Sequence, residues 1–365
     1  MKIGIYARGL AVKFGGAKQY IESMTRAIID NLSAKDELYI FHNFDSEYFG
    51  SNKKNVKEIF LKSKNKLLCD FVLCPYYVNK LKIDVMWFPK NVVPFFIKSK
   101  VVISILDLLY FMPQYNECLL SDTLYMKLMI PISCRRADRI IAISENTKKD
   151  IVNIIGIDEN KIDVVYLAPD KKYKLIGDQK KLDRIRRKYK LDNKFILFTG
   201  AISPRKNLIR LIESFNKISD KIPHELIITG GKSWKTNDVN SLIKNSKKVR
   251  KIGFVSDEDM PILYNLADLY IYPSLYEGFG LPILEAQSCG CPVITSDTSS
   301  IPEVVGDAGI KVNPYDVNAL KTSIETIFKN HNLRKKMIKS GLERAKCFTW
   351  EKIADDILNI FRKVS

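Results

Sequence analysis

The chain has 365 residues, 46% of them hydrophobic and 27% charged, with a formal net charge of +18. That length suits two globular domains, each able to bury its own core. No stretch reaches about 18 apolar residues without a charge, which argues against a transmembrane helix, and Met1–Ala7 lacks the basic flank and apolar length of a secretory signal.

Lys2–Ala7 reads instead as a first buried strand. Phe14-Gly15-Gly16-Ala17 follows it. Two glycines at a helix start let a phosphate or sugar approach the backbone; a plain tight turn is the other reading. Ile21, Met24, Ala27 and Ile28 then recur at helical spacing, predicting a helix over Lys18–Leu32. Leu38–Phe41, Val85–Phe88, Val101–Leu106 and Arg139–Ile143 are strand candidates. Among them lie a basic stretch, Lys53–Lys66, and an aromatic one, Phe71–Lys98, with Tyr76, Tyr77, Trp87, Phe88, Phe95 and Phe96 among interspersed lysines. These read either as core and solvated helix faces or as peripheral contact with an anionic membrane. Asp107 ends an apolar strand, as a ligand-facing carboxylate or as a cap for the next turn.

Asp170–Asn193 is basic and polar and reads as a linker plus an exposed helix. The βα pattern then restarts with Phe195–Thr199, Leu226–Thr229, Val249–Phe254, Leu269–Pro273, Val293–Ser296 and Gly309–Val312. The expected fold is α/β, with two doubly wound Rossmann-like domains facing a cleft: residues 1–169, and residues 170–349. Ligands of such sheets bind at the carboxyl ends of strands, so residues just after strands carry the functional reading. Gly200-Ala-Ile-Ser203-Pro-Arg205-Lys206-Asn207 follows one strand; Arg205 and Lys206 suit a diphosphate, or cap the next helix. Pro273 to Ala286, PSLYEGFGLPILEA, follows another. Gly278 and Gly280 permit close backbone approach, and Leu281 and Pro282 open a helix whose amides favour phosphate. A carboxylate beside a diphosphate is repelled, so Glu277 and Glu285 must reach neutral hydroxyls of a sugar or ribose.

Asp257-Glu258-Asp259 precedes a helical pattern and reads as N-terminal capping rather than a metal motif. The three histidines are scattered, so no metal site is expected. The seven cysteines form no CxxC pair, which suits a reduced, cytoplasmic compartment. The basic clusters lack interleaved aromatics, so nucleic acid is not an expected partner.

Together these residues resemble family 4 of the retaining glycosyltransferases, with the GT-B fold (glycosyl transferases group 1). The resemblance is carried by EGFGLPILEA, by SPRKN at Ser203–Asn207, by Gly15-Gly16 and by Ser299-Ser-Ile-Pro302-Glu303-Val-Val-Gly306. Ile143-Ser144-Glu145 and Phe348-Thr-Trp350-Glu351 add to it. It implies transfer of a hexosyl unit, with mannosyl as one candidate, from a nucleotide-diphosphate sugar (GDP-, UDP-, ADP- or dTDP-linked) to a glycan or lipid-linked glycan of a surface polysaccharide. The implied enzyme works without a metal or other cofactor, in the cytoplasm or at the inner face of the plasma membrane. Lys206 and Arg205 would bind the donor diphosphate within the loop that holds Gly200 and Ser203. Glu277 would hold donor-sugar hydroxyls, helped by amides of Gly278, Phe279, Gly280 and Leu281. Glu285 would bind the ribose, Phe254 would lie near the base, and Gly16 would approach the diphosphate. Asp107 would serve catalysis from the first domain, onto which the helix over residues 350–365 would pack. Two positions depart from the family: Leu106 replaces a His before Asp107, and Ala201 replaces an Arg after Gly200. A storage-glucan synthase, a nucleotide-sugar epimerase and a non-catalytic nucleotide-sugar-binding protein are the competing readings.

Overall fold

A computed structural model describes the chain apart from residues 12–15, 45, 64, 116 and 232–236, and apart from the side chains of residues 9, 11 and 237. The chain divides into two compact units. The first comprises Met1–Pro113, Cys118–Leu167 and Thr349–Ser365; the second comprises Gln114–Glu117 and Ala168–Phe348.

The first unit is built on seven parallel strands: β1 (Lys2–Tyr6), β2 (Glu37–His42), β3 (Val56–Phe60), β4 (Val85–Phe88), β5 (Lys100–Ile105), β6 (Arg139–Ala142) and β7 (Ile162–Val164), in the order β3-β2-β1-β4-β5-β6-β7. Its central strands are largely apolar because helices cover both faces; all four residues of β4 are buried. β3 was not among the expected strands. Its sequence, VKEIF, carries Lys57 and Glu58 in mid-strand and sits at a sheet edge, where lysine is favoured. Two lysines of the basic stretch find local partners there. Lys57 Nζ donates to Glu37 Oε2 at 2.9 Å, and Lys53 Nζ donates to the carbonyls of Ile29 and Asp30 that end the helix Gly16–Asn31. The helix Trp350–Val364 completes this unit. Thr349 caps it, and it buries Ile353, Ile357, Leu358 and Phe361, the last packing 6.1 Å from Trp87.

The second unit holds six parallel strands: β8 (Phe195–Thr199), β9 (Glu225–Thr229), β10 (Val249–Gly253), β11 (Leu269–Tyr272), β12 (Val293–Ser296) and β13 (Ile310–Val312), in the order β10-β9-β8-β11-β12-β13. The strand order reverses between β8 and β11, and the crevice past their carboxyl ends is where such sheets take ligands. Two glycines shape that end. Gly200 and Gly230 both have positive φ, 137° and 135°, and a Cβ on Gly230 would lie 2.0 Å from the carbonyl oxygen of Gly200. The two strand ends therefore approach backbone to backbone, which only glycine allows.

The acidic triplet does not cap its helix in the expected way. Asp259 stands at the N-cap of Met260–Leu266 without a side-chain capping bond. Its buried carboxylate accepts from Lys188 Nζ at 2.5 Å and from Tyr189 OH at 2.9 Å, tying that helix to Gln179–Tyr189. Lys188, Tyr189 and the Arg184 guanidinium, 3.6 Å away, outcompete the local backbone amides.

Candidate active site

β8 and β11 are neighbours, so the loops after them converge. The backbone joins them first: Leu275 N donates to the carbonyl of Arg205 at 2.8 Å. Asn207, in the left-handed region at φ 57°, then locks the turn by donating Nδ2 to the carbonyls of Pro273 and Pro314. Ser299 is a second left-handed residue, at φ 56°. Its Oγ accepts from Glu277 N at 3.1 Å and donates to Glu277 O at 2.7 Å, so a strained serine fixes the glutamate's backbone on both sides. Ser300 Oγ adds bonds to the carbonyls of Glu277 and Phe279.

On this frame Glu277, Arg205 and Lys206 form one buried cluster. Glu277 Oε1 lies 2.6 Å from Lys206 Nζ and 2.7 Å from Arg205 Nη1. Lys206 Nζ also donates to Tyr272 OH at 2.8 Å and lies 4.7 Å from the centroid of that ring. Arg205 is held further by Glu117, which accepts from its backbone N at 2.7 Å and from Nε at 3.3 Å, and by the carbonyl of Tyr276. Burial pushes the Glu277 carboxyl up, but Arg205 and Lys206 outweigh it and hold the group down at about 2. Glu277 is thus an anion at neutral pH. Burial draws the Lys206 ammonium below its ordinary value, with Glu277 opposing. Tyr272 is pushed well up by burial and by the nearby Glu277 charge, so it stays a neutral phenol. The cluster pairs two cations with two carboxylates in a low-dielectric setting, where fixed charges act strongly on a ligand.

The other site candidates fall in different places. Gly278, Gly280, Leu281 and Pro282 lie in the loop and first turn of the helix Leu281–Ser288, with Gly280 at φ 111°. The Phe279 side chain turns inward, edge-on to Phe348 at 6.0 Å, so this residue offers a ligand its backbone rather than its ring. Glu285 is buried within hydrogen-bond reach of Tyr264 OH, 3.4 Å from Oε2; Tyr264 in turn meets Thr199 Oγ1 beneath the β8 end. Gly200 precedes the cation loop, and Ser203 is buried with its Oγ unpaired among the described residues. Phe254 follows β10 and is 57% exposed, open to a flat ligand. Asp107 and Gly16 belong to the first unit: Asp107 Oδ1 accepts from Leu109 N at 3.0 Å, and Gly16 begins its helix on the surface. Gly15 lies outside the described residues. Leu106 is partly exposed, and Ala201 is exposed.

Sequence reasoning missed Glu117 and Tyr272, and singled out Ser299 without assigning it a role. Glu117 stands 88 residues from Arg205 in the chain, with no motif around it. Tyr272 looked like a core residue because it ends an apolar strand.

Residues 179–344 match the sequence model of the family described as Glycosyl transferases group 1. O-antigen chain mannosyltransferase B of Escherichia coli is 33% identical over 244 residues, covering 65% of this chain and 64% of that protein. O-antigen chain mannosyltransferase RfbU of Salmonella typhimurium is 29% identical over 218 residues, covering 59% of this chain and 58% of that protein. The chain therefore matches less than two thirds of the length of either relative. Among solved structures, that of Anabaena Alr3699/HepE in complex with UDP and glucose superposes with a TM-score of 0.77 over 100% of both chains, at 19% identity. The two parallel-sheet units are those of the GT-B fold, and the residues that match the group 1 model lie within the second unit.

Proposed function

We propose that the protein is a retaining glycosyltransferase. It moves a hexosyl unit, mannosyl by preference, from a nucleotide-diphosphate sugar to a glycan or lipid-linked glycan in surface-polysaccharide synthesis. The observation that carries this reading is the buried Glu277–Arg205–Lys206 cluster past the β8 and β11 ends, inside the group 1 domain. The names of the two mannosyltransferase relatives support the choice of sugar.

The chemistry follows from the charges. Arg205 offers a planar fork and Lys206 a point charge to the donor diphosphate. As the bond from the anomeric carbon to the phosphate oxygen breaks, its electron pair stays on that oxygen, and the two cations stabilise the growing charge. The acceptor hydroxyl attacks the same face of the sugar, and its proton passes to the departing phosphate oxygen. Glu277, ionised at neutral pH, has no proton to give. Its role is to accept hydrogen bonds from donor-sugar hydroxyls and orient the ring. Asp107 serves the acceptor side. No metal takes part, because Arg205 and Lys206 supply the positive charge the diphosphate needs. The protein works in the cytoplasm, at the inner face of an anionic membrane.

The test uses Glu277→Ala and Lys206→Ala with a panel of GDP, UDP, ADP and dTDP sugars. Each variant is expected to lose at least about 100-fold in turnover while retaining its circular-dichroism spectrum. Wild-type turnover is expected to survive EDTA, with the anomeric configuration kept in the product. Near-normal activity in either variant would sink the site assignment, and no donor-dependent product with any nucleotide would sink the reading itself.

A further inference from the structure

Ten of the fifteen large apolar side chains exposed among the described residues lie between Leu67 and Leu128, all in the first unit. Three of them, Leu120, Leu124 and Leu128, form a stripe at four-residue spacing on the helix Leu120–Arg136 and are 85%, 71% and 62% exposed. The same helix buries Met129, Ile130 and Cys134 on another face. Apolar residues on both sides of a helix mean that the second side also meets a non-aqueous phase.

Two more exposed apolar features belong to the same unit. Phe96 is 80% exposed and sits at φ 65°, a conformation that a bulky side chain rarely adopts. Asn79 pins that loop, donating Nδ2 to Phe96 O and accepting from Lys98 N. The neighbouring Phe95 ring stacks on Phe71. Strain that holds an aromatic ring out in water is sustained by these contacts and points to use. The turn carrying Leu67 and Val72 is the second feature, joined to the stripe helix by Lys66, whose Nζ lies 5.3 Å from the Tyr125 ring centroid. A pocket of about 320 Å³ opens between these elements, lined by Lys66, Phe71, Pro94 and Tyr125 along with Arg8 and Lys90.

The charge around this apolar surface is mostly positive. Lys62 to Lys100 contains eight lysines and two aspartates. Asp70 is buried and held by Tyr6 and Arg8, and Asp84 accepts from Lys2 N. Asp122 is the exposed carboxylate beside the stripe. Separate apolar tips set among lysines match the headgroup layer of a bilayer, where rings and leucines sink and ammonium groups stay at phosphate level. Among the described residues no helix is long and apolar enough to cross a membrane, so the contact is interfacial.

We propose that the leucine stripe of Leu120–Arg136, with Phe96 and the Leu67–Val72 turn, docks the first unit on an anionic lipid bilayer. This rests on the glycosyl-transfer reading and narrows it: the acceptor is borne by the bilayer, with its polar end presented to the adjoining cationic pocket.

Flotation tests this with vesicles of phosphatidylcholine alone and of equimolar phosphatidylcholine and phosphatidylglycerol. The wild-type protein is expected to float with the anionic vesicles, less at high salt, and to stay behind with the neutral ones. The triple variant Leu120→Ser/Leu124→Ser/Leu128→Ser should lose at least tenfold in partitioning, Phe96→Ser should lose part of it, and Asp122→Lys should gain. All replace exposed side chains, and the triple variant's melting temperature and nucleoside-diphosphate binding should match the wild type. Wild-type protein that ignores anionic vesicles, or a triple variant that floats as well as the wild type, would overturn the proposal. So would a wild-type dimer that the triple variant dissociates, which would make the stripe a protein interface. Failure of the wild type to bind any nucleoside diphosphate would strike the glycosyl-transfer reading alone, since flotation reads the surface independently.

Discussion

The depressed carboxyl of Glu277 has a measurable thermodynamic signature. Its value falls from 4.5 to about 2 on folding, against the opposing effect of burial, because Arg205 and Lys206 bind the charged form. At about 1.4 kcal/mol per unit this corresponds to about 3 kcal/mol of stability. A carboxyl lowered in the folded state contributes fully above its unfolded value and loses that contribution as pH falls through its folded value. The stabilisation is therefore complete above roughly pH 5, clearly weaker by about pH 3.5, and almost gone at about pH 2. Glu277→Gln keeps the shape but removes the titration, so subtracting its curve cancels every other carboxylate. The assay is urea unfolding from pH 7 to pH 3, read by pulsed hydrogen exchange in peptides covering β8 and β11, which report the second unit alone. The wild type should exceed Glu277→Gln by about 3 kcal/mol at pH 7, with the gap narrowing as the pH falls. A gap that stays flat down to pH 3 would refute the claim that the two cations hold Glu277 ionised.

Two further outcomes follow from packing. Gly230→Ala places a Cβ against the Gly200 carbonyl at a positive φ; it should cost about 3 kcal/mol and weaken nucleoside-diphosphate binding by displacing the loop that carries Lys206. Gly177→Ala, which meets nothing within 4 Å, should stay within about 0.5 kcal/mol of the wild type; equal melting curves for both variants would remove the argument. Phe361→Ala, emptying a fully buried site beside Trp87, should cost about 3–5 kcal/mol and expose Trp350–Val364 to protease; an unchanged melting curve and protease pattern would count against that helix as core.

The strands of both sheets were legible where β-branched residues run together and both faces are buried, as in Phe195–Thr199 and Val293–Ser296. β3 escaped notice because an edge strand needs only one apolar face, and its lysine and glutamate resemble a loop. The helix Leu120–Arg136 carries Pro131 in its interior and apolar residues on two faces, so no single helical period stands out. Within the candidate site, Arg205, Lys206 and Glu277 were legible as polar residues directly after strands, where side chains face the ligand crevice. Glu117 was not, since it meets Arg205 through tertiary folding alone. Asp259 misled because its position at a helix start says nothing of the lysine and tyrosine waiting 71 and 70 residues upstream.

The return of Trp350–Val364 to the first unit also bears on how the protein is made. A ribosome finishes the seven strands of that unit at Val164, yet the helix that covers Trp87 and the helix Gly16–Asn31 emerges only after the whole second unit. Some 180 residues separate the two events, on the order of 10–40 s at ordinary elongation rates. Throughout that interval the nascent first unit presents the apolar groove meant for Ile353, Ile357 and Phe361. During synthesis that groove is a natural holding site for a chaperone, and a chain stopped before Thr349 is left with an open core.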